Sequence, residues 1–317
     1  GNIMRILFAP MEGLTGYTFR NVHHRLYYGV SEYFTPFLAI RQTRKWKTRE
    51  IKDIDPINNQ GITVVPQLLT NNADDFIWAA RNLAGMGYAE VNLNLGCPSA
   101  TVVTKHKGAG FLGDPGALDI FFEKIFEELS DEISISVKTR LGLSHASEMT
   151  GLLRIFNRYP IKRLIVHPRV REDYYTGPID LYAFQMVLEN SVNPVVYNGE
   201  INSVEDYQKI IRDFPHLNEI MIGRGLIRHP DLAERIFGIT TDSEATQRFF
   251  TFHDSLLAEY LNDMQEPDNC LQKMKDLWNF WTCDFPDKTR EIKKIKKARS
   301  LDEYRLAVLQ DFFTHCV

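Results

Sequence analysis

Short apolar runs alternate with stretches of helical periodicity along most of the chain. Eight of these runs are rich in β-branched or apolar residues and have the length of single strands. They are RILFA (5–9), SEYFTPF (31–37), ITVVPQL (62–68), AEVNLNL (89–95), ISISVKT (133–139), RLIVH (163–167), NPVVYN (193–198) and EIMIG (219–223). The pattern predicts eight β-strands separated mostly by helices.

The stretches between the runs carry helix start signals. DDFIWAARNLAGMG follows Asn72, ALDIFFEKIFEEL follows Asp114 and Pro115, and SVEDYQKIIRDF starts at Ser203 with Asp206 three residues later. Asn, Asp and Ser are preferred N-caps, and proline is favoured in the first turn of a helix. Strands that alternate with helices predict a parallel sheet, and near-continuous apolar strands indicate that both of its faces are covered.

Two parallel architectures fit this alternation. A doubly wound sheet normally carries a G-x-G-x-x-G turn after its first strand, but here that strand runs into APMEGLTG, which lacks the spacing. Eight strand–helix units match a (β/α)8 TIM barrel, which typically takes about 250 residues. We therefore predict an α/β barrel over residues 1–240.

The pattern changes beyond the last strand. ATQRFFTFHDSLLAEYLNDM, NCLQKMKDLWNFWTCDF and SLDEYRLAVLQDFFTHC have the periodicity of amphipathic helices, with no strand between them. We predict a separate all-helical domain over residues 241–317.

Charge bears on the kind of partner. The net charge is −4 and the pI about 6.2, which argues against a surface that is basic throughout. Two local stretches are basic, RQTRKWKTR (41–49) and KTREIKKIKKAR (288–299). Either one is explained by a solvated helix face, but together they favour local contact with RNA phosphates.

Cysteine usage indicates a reduced setting. Cys97, Cys270, Cys283 and Cys316 form no C-x-x-C pair, so we expect a cytoplasmic protein without a disulfide framework. No apolar run reaches the roughly 18 residues of a membrane-spanning helix, and the first apolar segment stops at Pro10, unlike a signal peptide. We expect no membrane association and no stable protein partner, hence a monomer.

The segment EVNLNLGCP (90–98) contains the most informative thiol. Gly96 and Pro98 break the strand, so Cys97 lies in a loop, where functional residues concentrate. A free thiol has a pKa of about 8.5 and is mostly protonated near neutral pH, so it can donate a proton. The alternative is that Cys97 is a small buried residue of the core.

Polar side chains recur at the predicted carboxyl ends of the strands, where a barrel of this type has its active site. They are Gln67, Asn94, Lys138, Arg140, His167 and Arg169. NGE (198–200) and GRG (223–225) follow the last two strands, the usual phosphate position, and their glycines allow backbone N–H groups to approach an anion. Each residue alone has a structural explanation, but their joint pattern predicts a site. No metal cluster is predicted, because His23 and His24 are adjacent in sequence.

Eight motifs occur in the same order as in the tRNA-dihydrouridine synthases, which the chain resembles. They are APMEG (9–13), PQL (66–68), NLNLGCPS (92–99), GAGFL (108–112), VKTRLG (137–142), VHPR (166–169), NGEI (198–201) and MIGRG (221–225). The resemblance implies an FMN oxidoreductase that uses NADPH to reduce the 5,6 double bond of a D-loop uridine in tRNA, with the helical domain binding the RNA.

The resemblance also implies roles for individual residues. Cys97 would be the proton donor, and Asn94, Arg140 and Arg169 would hold the flipped nucleotide. The residues that would line FMN are Pro10, Met11, Glu12, Gln67, Lys138, His167, Asn198, Gly199, Glu200, Gly223 and Arg224.

Two motifs depart from the family pattern. Ala100 stands three residues after the cysteine, where the family usually has lysine, and the H-G-R-T motif reads His167-Pro168-Arg169-Val170. Both departures lie on active-site loops, so any difference is expected in substrate position or loop closure rather than in the class of reaction.

Two other functions remain open at this point. An FMN barrel reductase of a small molecule, such as a dihydroorotate dehydrogenase-like enzyme, would not need a basic helical domain. An RNA-binding homologue with impaired catalysis would not need Cys97, Lys138 and the phosphate motifs.

Overall fold

The computed structural model describes residues 3–239 and 242–313. The chain forms two compact units: the first is Gly1–Pro10, Ser31–Glu200 and Ile210–Ile222, and the second is Met11–Val30, Ile201–Lys209 and Gly223–Val317. Cys316 and the end of the last predicted helix lie outside the described residues. The functional boundary predicted at residue 240 stays a prediction.

Ten strand segments form one sheet in which the described pairs are parallel. Their order is β3-β5-β6-β7-β8-β9-β10-β1-β2-β4. The segments are β1 Arg5–Phe8, β2 Val30–Phe34, β3 Leu38–Ala39, β4 Val64–Val65, β5 Gln67–Leu69, β6 Glu90–Leu95, β7 Ser134–Thr139, β8 Leu164–Val166, β9 Val195–Asn198 and β10 Glu219–Ile222.

Prolines divide two of the eight predicted strands. Pro36 separates β2 from β3, and Pro66, which has no N–H to donate, separates β4 from β5. The carbonyl of Pro66 still accepts a hydrogen bond from the backbone of Asn92 at 2.9 Å. Because β2 pairs with β4 and β3 with β5, the two ends of the strand order belong to the same pair of strands. The sheet thus closes on itself with eight strands, which confirms the predicted barrel.

The helices follow the strands as the alternation predicts. They are α1 Tyr17–Leu26, α2 Thr48–Ile54, α3 Ala73–Gly85, α4 Ala100–Val103, α5 Pro115–Leu129, α6 Glu148–Phe156, α7 Leu181–Asn190, α8 Val204–Asp213, α9 Arg224–Arg228, α10 Leu232–Phe237, α11 Ala245–Met264, α12 Pro267–Trp281, α13 Thr289–Lys297 and α14 Leu301–Leu306. The predicted caps are present: side chains of Asn72, Asp114 and Ser203 each accept a hydrogen bond from the first turn of α3, α5 and α8.

Alternate strand positions fill the barrel interior. An apolar cluster occupies its middle, formed by Leu7, Ala9, Phe34, Val65, Ile165, Val196 and Met221. Towards the amino ends of the strands, the buried Arg163 guanidinium bonds Glu90 at 3.0 Å, Glu219 at 2.8 Å and also Glu32. Arg5 makes a further ion pair with Glu32. This charged floor closes the amino end of the barrel.

The second unit is held by an aromatic core. Helix α1 packs on α11, and α11 on α12. Trp278 and Trp281 are fully buried, and the hydroxyl of Tyr304 lies 2.8 Å from Trp278 Nε1 and 2.7 Å from His253 Nε2. Within the described residues, no helix has the length and apolar character needed to cross a bilayer.

Candidate active site

Five of the predicted polar residues lie together at the carboxyl ends of neighbouring barrel strands. Gln67 begins β5, Asn94 and Lys138 lie near the ends of β6 and β7, His167 follows β8, and Asn198 ends β9. Parallel strands bring their carboxyl ends to one edge of the barrel, which is where active sites of this architecture lie. All five belong to the first unit.

The loop that carries Cys97 is held by backbone hydrogen bonds. The side-chain oxygen of Asn94 accepts from the N–H of Gly96 at 3.0 Å and from the N–H of Cys97 at 2.9 Å. The carbonyl of Cys97 accepts from the N–H of Ala109 at 3.1 Å. Arg171 Nε donates to the carbonyl of Pro98 at 3.1 Å. The thiol is partly buried, and the loop around it sets its position.

Two glycines of the GAGFL segment allow this loop to pack closely. A Cβ on Gly108 would lie 3.0 Å from the carbonyl oxygen of Cys97, and its φ of +56° also favours glycine. A Cβ on Gly110 would lie 2.7 Å from the carbonyl oxygen of Val103. The motif therefore keeps the segment 108–112 against the cysteine loop.

Two cations lie near the thiol. Burial, and then the charge of Arg140, lower the pKa of the Lys138 ammonium to about 8, while the charge of Cys97 acts in the opposite direction. Within the described part of the chain, Lys138 makes no ion pair. Burial also lowers the pKa of Arg140, and Cys97 again opposes the shift. The site therefore holds positive charge beside Cys97, the predicted proton donor.

Arg140 is fixed from the loop after β8. Its Nη1 donates to the carbonyl of Val170 at 3.0 Å, and its guanidinium lies 5.1 Å from the ring centre of Tyr175. Tyr175 was not predicted as a site residue. The sequence signal that could have found it is the adjacent aromatic pair Tyr174–Tyr175 in the segment that follows a predicted strand.

Arg169 joins three groups of the same edge. It donates to the carbonyl of Gly177 at 2.7 Å and to Glu200 at 3.1 Å, and its Nη1 lies 3.2 Å from His167 Nε2. A guanidinium can only donate, so His167 Nε2 accepts and its ring proton is on Nδ1. Arg169 is 3% exposed, which favours a role in holding His167 and Glu200.

The remaining predicted ligand residues divide between the two units. Pro10 and Gly199 belong to the first unit, whereas Met11, Glu12, Gly223 and Arg224 belong to the second. Asn198 Nδ2 donates to the carbonyl of Met221 at 3.1 Å, which orients the side chain that precedes Gly199. The phosphate position at NGE and GRG stays a prediction.

One group of three side chains in the described residues has the spacing of metal ligands. It comprises His229, Cys283 and Asp284 of the second unit. Asp284 Oδ1 lies 2.8 Å from His229 Nδ1, which an ordinary ion pair explains. The expected absence of a metal site stays a prediction.

The two basic stretches have ordered frameworks. In 41–49, Trp46 packs on Trp78 with ring centres 5.2 Å apart and the ring planes tilted by 34°, and its Nε1 donates to Asn82 at 2.8 Å. In α13, Ile292 and Ile295 are buried. Its exposed lysines are Lys293, Lys294, Lys296 and Lys297. Both frameworks leave basic side chains in solvent.

The chain matches the family model for dihydrouridine synthase over residues 7–315. It is 32% identical, over 74% of its length and 73% of the relative's, to a tRNA-dihydrouridine(16) synthase of Ralstonia nicotianae. It is 30% identical, over 73% and 71%, to the enzyme of the same name from Neisseria meningitidis serogroup B.

Solved structures show a similar fold at low sequence identity. Morphinone reductase superposes with a TM-score of 0.53 at 12% identity, covering 77% of this chain and 88% of that chain. An old yellow enzyme homologue from Zymomonas mobilis superposes with a TM-score of 0.52 at 14% identity, covering 75% and 89%. These similarities support the barrel fold.

Proposed function

The chain belongs to the dihydrouridine synthase family, whose members are FMN-dependent oxidoreductases, and from this we propose that it reduces a D-loop uridine of tRNA to dihydrouridine with NADPH as electron donor. The observation that carries the proposal is the hydrogen-bonded loop of Cys97 beside Lys138 and Arg140 at the carboxyl end of the barrel.

The side chains of this edge fit FMN. A partly buried ammonium without an ion pair, Lys138, suits a ring that becomes anionic on reduction. The amide of Gln67 suits the carbonyl and N–H edge of the same ring. We propose that the residues predicted from the resemblance line the cofactor, with Gly199, Gly223 and Arg224 at its phosphate.

Bound FMN would supply the hydride for the reduction. Cys97 would then protonate the other carbon of the 5,6 double bond, which leaves a thiolate at Sγ. The positive charges of Lys138 and Arg140 would attract this thiolate, since the charge of Cys97 raises the pKa of both cations. The uridine must be flipped out of the RNA stack to reach these groups.

The relatives support a particular target. Those from Ralstonia and Neisseria are named for position 16, so we propose uridine 16 of tRNA as the substrate. A tRNA substrate, together with cysteines that form no C-x-x-C pair, supports a cytoplasmic enzyme. We propose that it acts as a monomer.

Deleting the gene and mapping dihydrouridine in tRNA tests this function. We expect dihydrouridine to disappear at position 16 and to return when the parent gene, but not a Cys97→Ala gene, is restored. Loss at another position would overturn the choice of uridine. Unchanged dihydrouridine throughout would overturn the activity itself.

A further inference from the structure

A chain of side-chain hydrogen bonds runs inside the barrel from β7 to the cysteine loop. Asn92 Nδ2 donates to Ser136 Oγ, Gln67 Nε2 donates to Asn92 Oδ1, and Asn94 Nδ2 donates to Gln67 Oε1, each at 2.9 Å. Ser136 and Asn92 are completely buried, Gln67 is 1% exposed and Asn94 8%. Strand register pairs Gln67 with Asn92 and Asn92 with Ser136. Neither Asn92 nor Ser136 has a direct role in the proposed reaction.

The donor-to-acceptor direction of this series of hydrogen bonds is set at the end nearest Cys97. Backbone N–H groups of Gly96 and Cys97 can only donate, so Asn94 must turn its oxygen towards them. Its NH2 group then faces Gln67, which must present its oxygen to Asn94 and its own NH2 to Asn92. With one wrong amide orientation, two donors or two acceptors would face each other in a buried site, where an unsatisfied polar group destabilises the fold.

These hydrogen bonds also limit which donors and acceptors Asn94 can present to a ligand. Its oxygen already accepts two hydrogen bonds, and one hydrogen of its nitrogen is bound to Gln67. What remains is a single N–H, so Asn94 can donate to a ligand but cannot accept from one. Such a group matches a carbonyl oxygen and leaves an exocyclic amino group unmatched.

We propose that Asn92 is a positioning residue: by accepting a hydrogen bond from Gln67 it holds the amide that anchors Asn94, and with it both the backbone of Cys97 and a preference for uracil over cytosine. This rests on the proposed function for its substrate. The polarity of the hydrogen-bond chain is independent of the activity. Ser136 completes the chain as the acceptor for the Asn92 nitrogen.

Two variants distinguish the effect of the hydrogen-bond acceptor of Asn92 from the effect of its side-chain volume. Asn92→Leu keeps a similar volume but removes the acceptor for Gln67, so the Gln67 amide is no longer held and can turn away from Asn94. Asn92→Asp keeps that acceptor, and Ser136 can rotate its hydroxyl to donate to it. Both are made in a Cys283→Ser/Cys316→Ser background, which removes the exposed thiol of the described residues and the thiol that lies outside them.

The first measurement does not depend on activity. The rate at which iodoacetamide alkylates Cys97 is followed in the FMN-loaded protein. We expect Asn92→Leu to change this rate at least about fivefold and Asn92→Asp to recover most of the parent value. If a folded Asn92→Leu protein is alkylated like the parent, or if Asn92→Asp behaves like Asn92→Leu, the proposal is overturned.

The second measurement is single-turnover oxidation of the pre-reduced enzyme by unmodified tRNA. A misplacement of about 1 Å costs about 100-fold in rate, so we expect Asn92→Leu to slow this step by about 10–100-fold and Asn92→Asp by less than about threefold. Binding of a tRNA with cytidine at the target should approach that of the uridine form in Asn92→Leu only. Should Asn92→Leu fail to fold, Ser136→Ala is used, and no change in alkylation or oxidation there would overturn the proposal. Inactivity of the parent would count against the proposed function alone.

Discussion

At the scale of single residues, Cys97 and Cys283 are the two cysteines of the described residues that are not fully buried, and their surroundings differ. Cys97 lies in a loop whose backbone is bonded by Asn94 and Ala109, whereas Cys283 is exposed on the second unit. Positioned acid catalysis contributes typically ~10²–10⁴-fold. We expect Cys97→Ala to retain FMN and to be reduced by NADPH at a near-normal rate, yet to be oxidised by unmodified tRNA at least ~100-fold more slowly.

Cys283→Ala is the matched control for this measurement, because it removes a thiol of the same chain outside the barrel. It should be oxidised by tRNA like the parent. Equal rates for Cys97→Ala and the parent would make Cys97 a structural residue.

Lys138 would give the proposed cofactor site a pH dependence. Burial and Arg140 lower its pKa to about 8 in the free protein, so the ammonium is lost as pH rises through this value. An anionic ligand would stabilise the ammonium and raise its pKa in the complex. We expect the affinity of FMN-free protein for reduced FMN to fall by up to about tenfold per pH unit above pH 8.

Lys138→Met should bind reduced FMN more weakly at pH 7 and lose most of this slope, measured by anaerobic titration from pH 7 to 9. Lys124→Met, on an exposed position of α5, controls for loss of one positive charge. A parent affinity that is flat across pH 8 would contradict the assignment of Lys138.

Single residues also show which features of the site the sequence reveals and which it does not. Cys97, Lys138 and His167 were predicted because they end strands whose apolar pattern is visible. Asn92 and Ser136 lie inside strands, and their value depends on which residues face each other across β5, β6 and β7. Register of parallel strands is a long-range property, so the sequence alone did not single them out.

At the scale of elements, α13 is the clearest candidate for RNA contact. Its buried Ile292 and Ile295 hold one face, so Lys293, Lys296 and Lys297 extend from the other. Neutralising these three lysines to Gln should weaken tRNA binding and flatten its salt dependence by roughly one unit of log–log slope per lost phosphate contact. Fluorescence anisotropy with labelled tRNA at several salt concentrations measures both.

A charge-matched control uses Lys124, Arg154 and Arg212, which are exposed on outer helices of the barrel unit. The two triple variants have the same net charge, so a purely global effect would lower both affinities alike. In that event α13 would be only a solvated face.

Elements were predicted unevenly for identifiable reasons. The twenty residues predicted as one helix from Ala245 to Met264 form α11 from end to end. The last predicted helix becomes α14 and then a wider π-helical turn over Ala307–Phe312. Helix α1 was not singled out, because its buried face includes Arg20 and His23, which hide the apolar periodicity.

At the scale of the whole molecule, the barrel depends on its charged floor. Removing one partner of a buried ion pair typically costs about 3–5 kcal/mol, because the other charge is left unpaired. Arg163→Met leaves Glu32 and Glu90 without their buried guanidinium and should lower the free energy of unfolding by about this amount at pH 7. Urea denaturation measures it, with Arg154→Met on the outer helix α6 as control.

The same charged floor makes the loss of unfolding free energy in Arg163→Met depend on pH. Burial alone would raise the pKa of Glu32, but Arg163 and Arg5 outweigh it, so the pKa lies below its ordinary value. The stabilisation is therefore present above the unfolded pKa of about 4.3 and is lost as pH falls through the lower folded value. The difference between parent and Arg163→Met should shrink below about pH 4. A difference that stays constant from pH 7 to 3 would exclude Glu32 as its source.

The division into compact units was less accessible from sequence than the strand count. A change of periodicity near residue 240 marks the start of the helical tail, whereas the second unit also takes in Met11–Val30. Helix α1 joins it by packing on α11, more than two hundred residues later in the chain. Compactness follows contacts between distant segments, which periodicity does not report.

The charged floor also bears on the order in which reactants visit the enzyme. Within the described residues of the barrel unit, Arg163 and its carboxylate partners close the amino end, so NADPH and the flipped uridine both have to use the carboxyl end. If they compete for one entrance, the oxidised nucleotide must dissociate before the RNA binds. Bound FMN would then hold the two electrons between the two binding events. Initial rates with both reactants varied should then give parallel double-reciprocal lines, the signature of ping-pong kinetics; intersecting lines would mean that both reactants are bound together.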